Sequence, residues 1–177
     1  MQSTDLQSLS IILAMSNLQV AEGLKSALVQ SQVARVFAAT DNQQAVTQLG
    51  RQFYNMILIE EGFPNLGGAD FCRFLRMTDG PLAVAPIIYG IIRAEKARIF
   101  AARDAGASKI VLMPLSPTIL LATVQATIKE RRPFVQTFGY RGPDRRTTGN
   151  HPFFGPEKRV EQQGWVSLEA QNRHLGL

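Results

Sequence analysis

The sequence lacks any way to form an internal disulfide, because Cys72 is the only cysteine among its 177 residues. This excludes a small secreted scaffold held together by disulfides. Long apolar runs are also missing. The first run, residues 11–15, is shorter than the apolar core of a signal peptide and far below the roughly 20 residues of a membrane span. These absences predict a cytoplasmic protein that is not inserted in a membrane.

Residues that bind metals or attack substrates are scarce. The two histidines, His151 and His174, are not spaced as metal ligands with Cys72, and no Ser–His–Asp or Cys–His grouping stands out. Cys72 lies in a helical pattern between Phe71 and Phe74, where a buried structural thiol is expected. The sequence therefore predicts a protein that is not an enzyme and that uses neither a metal nor a cofactor.

Charged residues make up 19% of the chain, and its net charge of +5 is unevenly distributed. Residues 1–130 have a net charge of +1, residues 131–159 of +5, and residues 160–177 of −1. The body of the protein is thus nearly neutral. One short basic segment carries the excess and is a candidate for contacts with a partner.

Five short apolar segments alternate with five helical patterns between residues 9 and 131. The apolar segments are residues 11–15, 33–39, 56–59, 86–92 and 110–113. Asn17, Asp41 and the Ser116-Pro117 pair predict helix starts, since each supplies a capping side chain. The apolar stripe of the first helix is Val20, Leu24 and Leu28, and the inward positions expected in the second are Ala45, Val46 and Leu49. Phe71, Phe74 and Leu75 mark the third helix.

This alternation predicts an α/β fold with helices on both faces of a five-stranded parallel sheet. The flavodoxin-like strand order 2-1-3-4-5 is the most economical arrangement of such units. In this order the functional crevice lies at the carboxyl ends of the first and third strands, beside residues 15–17 and 60–61.

Four segments of this region resemble the receiver domain of bacterial two-component signalling. They are residues 11–17 (IILAMSN), 57–68 (ILIEEGFPNLGG), 85–92 (APIIYGII) and 101–124 (AARDAGASKIVLMPLSPTILLATV). The resemblance covers the whole of residues 9–131. It implies the same fold and a role in signal transduction.

Working members of that family carry an acidic pair that holds magnesium, a phosphate-accepting aspartate, a hydroxyl and a lysine. The resemblance places other residues at all five positions: Met15 and Ser16 at the acidic pair, Glu60 at the acceptor, Ile91 at the hydroxyl and Met113 at the lysine. A thioether cannot replace a hard oxygen ligand of magnesium, and methionine supplies no charge to the phosphoryl group. The pattern therefore predicts a degenerate, non-catalytic pseudo-receiver that acts as a phosphorylation-independent protein-interaction module.

Two points about the carboxylates stay open. Glu60 is expected in solvent or paired with a nearby arginine such as Arg93, and the alternative is that its carboxylate mimics a permanently phosphorylated aspartate. An atypical receiver that is still phosphorylated on Glu60 or Glu61 is the alternative to a pseudo-receiver.

Residues 133–177 differ from the receiver-like residues 1–132 and are expected to form an irregular basic tail, with a short helix possible between residues 157 and 175. The tail repeats one motif. Gly142-Pro143-Asp144-Arg145-Arg146 recurs as Gly155-Pro156-Glu157-Lys158-Arg159, and an aromatic residue precedes each copy. Such GPDRR-type tails resemble those that follow receiver-like domains in some bacterial proteins. The residues expected to bind a partner are Arg145, Arg146, Lys158, Arg159, Tyr140 and Phe154.

Three interpretations of the tail remain open. It docks on a signalling protein, a second copy of the chain included, or folds back on its own domain. Alternatively, its arginines and aromatics bind a nucleotide, nucleic acid or cyclic dinucleotide. The third possibility is a solvated tail. In relatives the fourth helix, fifth strand and fifth helix often carry partner contacts, and here that face would include Ile99, Arg103, Ile110 and Ile119.

Overall fold

A computed structural model describes residues 6–137, 139–145 and 165–176 of the chain. The strands are β1 (Ser10–Ala14), β2 (Arg35–Ala39), β3 (Met56–Glu60), β4 (Ile87–Ile91), β5 (Lys109–Leu112), β6 (Phe134–Thr137), β7 (Tyr140–Pro143) and β8 (Trp165–Val166). The helices are α1 (Leu18–Gln30), α2 (Asn42–Arg51), α3 (Gly68–Met77), α4 (Lys96–Asp104), α5 (Pro117–Lys129) and α6 (Leu168–Leu175). Short 3-10 helices span Leu6–Ser8 and Pro81–Val84. None of the helices in these ranges is long and apolar enough to cross a membrane.

The central sheet is parallel and has the order β2-β1-β3-β4-β5, which confirms the predicted fold class. Every residue of β1 and β4 is buried, because helices cover both faces of the sheet. Side chains alternate between two cores. Ile12 and Ile57 pack on the face covered by α2, α3 and α4, whereas Leu13 and Leu58 pack on the face covered by α1 and α5.

The predicted helix starts are confirmed. The side chains of Asn17, Asp41 and Ser116 each accept a hydrogen bond from the backbone N–H three residues later, at 3.1, 2.8 and 3.3 Å. Pro117 is the first residue of α5, where its missing N–H costs no helical hydrogen bond. These caps place the helices where the sequence pattern puts them.

Two expected inward positions are wrong, since Val20 and Val46 are 38% and 42% exposed. Phe74 of the third helix is 43% exposed. In α1 and α2 the neighbouring alanines, Ala21 and Ala45, take the inward position. One residue rotates a helix by about 100°, so the adjacent valine turns toward solvent. Phe74 instead stacks at the rim, with its ring centroid 6.2 Å from that of Phe71.

The described part of residues 133–177 is regular and not an irregular tail. β6 and β7 form an antiparallel hairpin, β8 pairs with the other side of β6, and α6 follows. The strands were missed because they are short and because Gly142 and Pro143 are typical of turns. Phe134 and Leu175 are 4% and 1% exposed, so both ends of this region are packed against the rest of the chain.

Arg76 in the last turn of α3 joins the two parts of the structure and is fully buried. Its guanidinium donates to the backbone carbonyls of Gly106, Ala83 and Ala85 at 3.0, 2.9 and 2.7 Å. The same group lies 4.7 Å from the centre of the Phe134 ring. Burial lowers the pKa of Arg76 to about 10. No sequence pattern indicates this role, because an arginine in a helix is usually exposed.

Candidate functional site

The five positions that the resemblance assigns to the phosphorylation site meet at the carboxyl edge of the central sheet. Met15 and Ser16 follow β1, Glu60 ends β3, Ile91 ends β4, and Met113 follows β5. The backbone N–H of Ser16 donates to the Glu60 carboxylate at 2.5 Å, and the N–H of Met113 donates to the carbonyl of Ile91 at 2.8 Å. The structure therefore brings these positions together where the resemblance predicts.

The three apolar residues of this site belong to the cores. Met15 is 1% exposed and packs with Met113 on the face covered by α1 and α5, while Ile91 is 3% exposed and packs on the opposite face. Met113 lies directly against β4, since a Cβ added to Gly90 would meet its sulfur at 2.8 Å. None of these side chains offers an oxygen or a charge to a metal or a phosphoryl group.

Glu60 does not pair with Arg93, which corrects that expectation. Its carboxylate accepts the backbone N–H of Ser16, whereas Arg93 forms a 3.9 Å ion pair with Glu95. The extra methylene of a glutamate gives the carboxylate a longer reach from the strand than an aspartate has. Glu60 thereby links β3 to the loop between β1 and α1.

Glu61 forms a second link, to the opposite side of the site. One carboxylate oxygen accepts from Arg98 of α4 at 2.6 Å, and the other accepts the backbone N–H of Ile92 at 3.2 Å. Arg98 also donates to Glu95 at 3.0 Å. The hydrogen bonds that Arg98 donates, first to Glu95 and then to Glu61, raise its pKa. No sequence motif singled out Arg98, because its partner lies 37 residues away.

We call these two contacts the carboxylate bridges: Glu60 to Ser16, and Glu61 to Ile92 and Arg98. Together they join the loops that follow β1, β3 and β4 by hydrogen bonds within the chain. Within residues 6–137, 139–145 and 165–176, no three His, Cys, Asp or Glu side chains are grouped so that they could hold a metal ion. The arrangement is suited to holding loops together.

Two further residues shape the loop after β3. Gly68 begins α3 so close to β3 that an added Cβ would lie 2.3 Å from the carbonyl oxygen of Glu60. This explains the second glycine of the Gly67-Gly68 pair, because no other residue fits beside that carbonyl. Tyr89 is 2% exposed, and burial raises its pKa to about 12. The close approach of Gly68 to β3 and the burial of Tyr89 on β4 show that the loop after β3 is tightly packed.

The expected buried role of Cys72 is confirmed. The side chain is fully buried, and its thiol donates to the carbonyl of Ala105 at 3.2 Å. Burial raises the pKa of this thiol to about 11, which keeps it protonated at neutral pH. Cys72 therefore supplies no nucleophile.

The first copy of the repeated motif folds back on the receiver-like part of the chain. The Arg145 guanidinium stacks 3.6 Å from the centre of the Tyr140 ring and forms a 3.0 Å ion pair with Asp104 at the end of α4. Arg145 also donates to the carbonyl of Arg103 at 3.1 Å. Two of the expected partner-binding residues, Tyr140 and Arg145, are thus engaged within the chain. The others, Arg146, Phe154, Lys158 and Arg159, lie outside the described residues, as does His151.

Two glycines allow β7 to pack closely against the turn that follows α4. A Cβ added to Gly142 of β7 would lie 2.9 Å from the Cα of Gly106, and one added to Gly106 would lie 2.7 Å from the carbonyl oxygen of Arg141. Gly106 also has a φ of +93°, which favours glycine. The motif thus lies against the turn between α4 and β5.

A comparison with protein families identifies the central part of this chain. The model described as the response regulator receiver domain matches residues 11–125, which include the five strands of the central sheet apart from Ser10, the first residue of β1.

Curated relatives match part of the chain. The DNA-binding response regulator MtrA of Mycolicibacterium smegmatis is 27% identical over 89 residues, which make up 50% of this chain and 37% of that protein. MtrA of Mycobacterium leprae is 26% identical over 89 residues, or 38% of its length. The chain therefore spans well under half the length of these relatives.

Solved structures show the same fold. The chemotaxis response regulator CheY4 of Vibrio cholerae superposes with a TM-score of 0.60 at 20% identity, covering 67% of this chain and 98% of that one. The receiver domain of a signal transduction histidine kinase from Syntrophus aciditrophicus has a TM-score of 0.61 at 20% identity, covering 68% and 90%. At this identity the likeness concerns the fold.

Proposed function

Since this chain belongs to the response regulator receiver domain family, we propose that it is a pseudo-receiver, which takes part in two-component signalling without accepting a phosphoryl group. Its function would be to bind a protein partner through its surface. The observation that carries this proposal is the composition of the phosphorylation site, where Met15, Ile91 and Met113 are part of the two cores.

Phosphoryl transfer to a carboxylate builds negative charge on the transferred group. A metal ion and a nearby cation offset this charge in a working site. Magnesium requires hard oxygen ligands in near-octahedral geometry, and the position of the acidic pair offers a thioether and one hydroxyl, those of Met15 and Ser16. Met113 stands at the position of the lysine and supplies no positive charge. Glu60 alone cannot supply these interactions.

The carboxylate bridges support independence from phosphorylation. A ligand shifts a conformational equilibrium only by binding one state better than the other. Here the loops after β1, β3 and β4 are already joined by bonds from Glu60 and Glu61. In this proposal the bridges hold the loops in one arrangement, and no phosphate is needed to select it.

The proposed partner surface is the face formed by α4, β5 and α5. Ile99, Leu112 and Ile119 are 36%, 55% and 54% exposed there, so apolar area is available for a protein partner. Ile110 is packed against the core, which corrects its expected place on this surface. Arg103 stacks 4.5 Å from the Phe100 ring at the edge of this face.

Treatment with acetyl phosphate and magnesium is expected to leave the full chain unmodified. The reason is that Met15 and Met113 offer neither an oxygen ligand for magnesium nor a cation for the transferred phosphoryl group. Intact mass spectrometry measures the result, and a receiver domain that retains all five groups, treated in parallel, shows that the reagent works. A phosphoryl adduct that maps to Glu60 or Glu61 and disappears in Glu60→Gln or Glu61→Gln would overturn the proposal.

A pull-down with the full chain tests the proposed partner surface. The set of proteins that it captures should be the same with and without acetyl phosphate. The variant Ile119→Lys should fail to capture them. Val46→Lys is the matched control, because Val46 is 42% exposed on α2, which packs against β1 and β2 at the other end of the strand order. Equal loss in both variants would show that the proposed surface is not the one that binds.

A further inference from the structure

A polar cavity of about 100 Å³ lies at the amino-terminal edge of the central sheet, where the C-terminal region packs against the end of α5. This is the edge opposite the phosphorylation site. The polar residues that line it are Ser108, Lys109, Thr127, Glu130, Arg131, Arg132 and Gln171. A cavity of this size can hold several water molecules or one small ion.

Gln171 of α6 presents an unpartnered acceptor at this cavity. The residue is fully buried, and its amide nitrogen donates to the carbonyls of Arg132 and Val166 at 3.0 and 3.2 Å. These two bonds fix the orientation of the amide. The oxygen Oε1 is left buried without a hydrogen-bond partner. A buried carbonyl without a donor is costly, so the site calls for a group that donates to it.

Arg131 presents an unpartnered donor at the same cavity. Its Nε donates to the carbonyl of Ile128 at 3.1 Å, but its Nη1 is buried with no acceptor. Burial lowers the pKa of Arg131, and no acidic group is among the causes of that shift. A partly buried guanidinium without a counterion is stabilised by an anion.

The remaining lining groups favour an anion as well. Glu130, the acidic residue of the lining, forms a 2.7 Å ion pair with Lys109 and is 62% exposed at its side chain. With that pair neutralised, the charges of Arg131 and Arg132 remain. The hydroxyl of Ser108 accepts the backbone N–H of Ile87 at 3.1 Å, and its own hydrogen can be donated to a ligand.

We propose that this cavity binds a small tetrahedral oxyanion that carries a hydroxyl, of which hydrogen phosphate is the simplest. Its unprotonated oxygens accept from Arg131 and Ser108, and its hydroxyl donates to Oε1 of Gln171. The ion thereby joins the end of α5 to α6. This site is separate from the degenerate phosphorylation site and does not depend on the proposed function.

Inorganic phosphate, titrated into the full chain and followed by amide NMR, tests this site. Shifts are expected at Ser108, Arg131 and Gln171 and at their neighbours, with saturation at millimolar phosphate or below. Sulfate at the same ionic strength is the decisive comparison, because at neutral pH it has no hydroxyl to donate to Gln171. We expect sulfate to bind about tenfold more weakly.

Two variants complete the test. Arg131→Gln should weaken phosphate binding by at least about tenfold, whereas Lys129→Gln, an exposed neighbour that does not line the cavity, should leave it unchanged. Gln171→Met should remove the preference for phosphate over sulfate. Absence of saturable shifts would show that the cavity holds only water. Equal affinity for the two ions would overturn the proposed contact between a ligand hydroxyl and Gln171. If a variant fails to fold, the comparison of phosphate with sulfate on the natural chain decides.

Discussion

Arg76→Met is expected to lower the free energy of unfolding by about 3 kcal/mol. Methionine retains the unbranched apolar stem of the arginine side chain but removes every hydrogen-bond donor of the guanidinium. The backbone carbonyls of Gly106, Ala83 and Ala85 then remain buried without their donor. Chemical denaturation with urea measures the change.

Two opposing effects decide the size of this loss. Leaving a buried carbonyl unpaired costs about 1–3 kcal/mol, and three such groups lose their donor here. Removing a buried charge returns several kcal/mol of desolvation energy, which offsets part of that loss. The carbonyls cannot move to water, because Ala83 and Ala85 are buried and the 3-10 helix Pro81–Val84 packs against α3 and α6. The loss therefore exceeds the gain.

Arg73→Met is the matched control for this substitution. Arg73 lies on the same helix, its side chain is 46% exposed, and its ion pair with Asp70 is on the surface. Its substitution should change stability by less than about 1 kcal/mol. Similar losses in the two variants would show that the buried hydrogen bonds of Arg76 contribute little.

Leu175→Ala is expected to lower the free energy of unfolding by about 3 kcal/mol, within the range for leucines truncated in a core. Leu175 is 1% exposed and packs with the residues of the face covered by α2, α3 and α4. The carbonyl of Leu175 also accepts from the buried Asn55 at 3.3 Å. Truncation leaves a cavity that the rigid sheet beside it cannot fill. Urea denaturation of the full chain measures the loss.

Leu168→Ala supplies the comparison on the same helix. Leu168 is 39% exposed at the start of α6, so its truncation should cost less than about 1 kcal/mol. A loss below about 1 kcal/mol for Leu175→Ala as well would show that α6 opens separately from the rest of the fold. The prediction thus tests whether the C-terminal region is part of one cooperative unit. A chain cut after residue 132 would remove both Phe134 and Leu175, so single substitutions are the sharper experiment.

The central fold could be predicted from the sequence because its signals are local. Continuous apolar runs mark strands that are buried on both faces, and the caps at Asn17, Asp41 and Ser116 mark where helices begin. Errors occurred where two neighbouring apolar residues compete for one inward position, as with Val20 and Ala21. The short strands β6 and β7 were missed since their pairing, and not their composition, makes them strands.

The candidate site, like the fold, could be predicted only in part. Its residues were found from their positions in the motifs, but their contacts were not. Glu60 binds the backbone of Ser16, 44 residues away, and not Arg93. A backbone N–H leaves no mark in a sequence, so a bond from a side chain to a distant loop cannot be read there.

By itself the sequence determined which chemical groups are present at the site and where the charge lies. It places two thioethers, a hydroxyl, an aliphatic group and a glutamate at the five positions, and it concentrates the net positive charge in residues 131–159. Only the tertiary structure decided which partners these groups take. In the folded chain Arg145 contacts Tyr140 and Asp104, and the buried Arg76 packs against the Phe134 ring. The physical reason is that a charged side chain takes the nearest partner that packing provides, and packing is set by the whole fold.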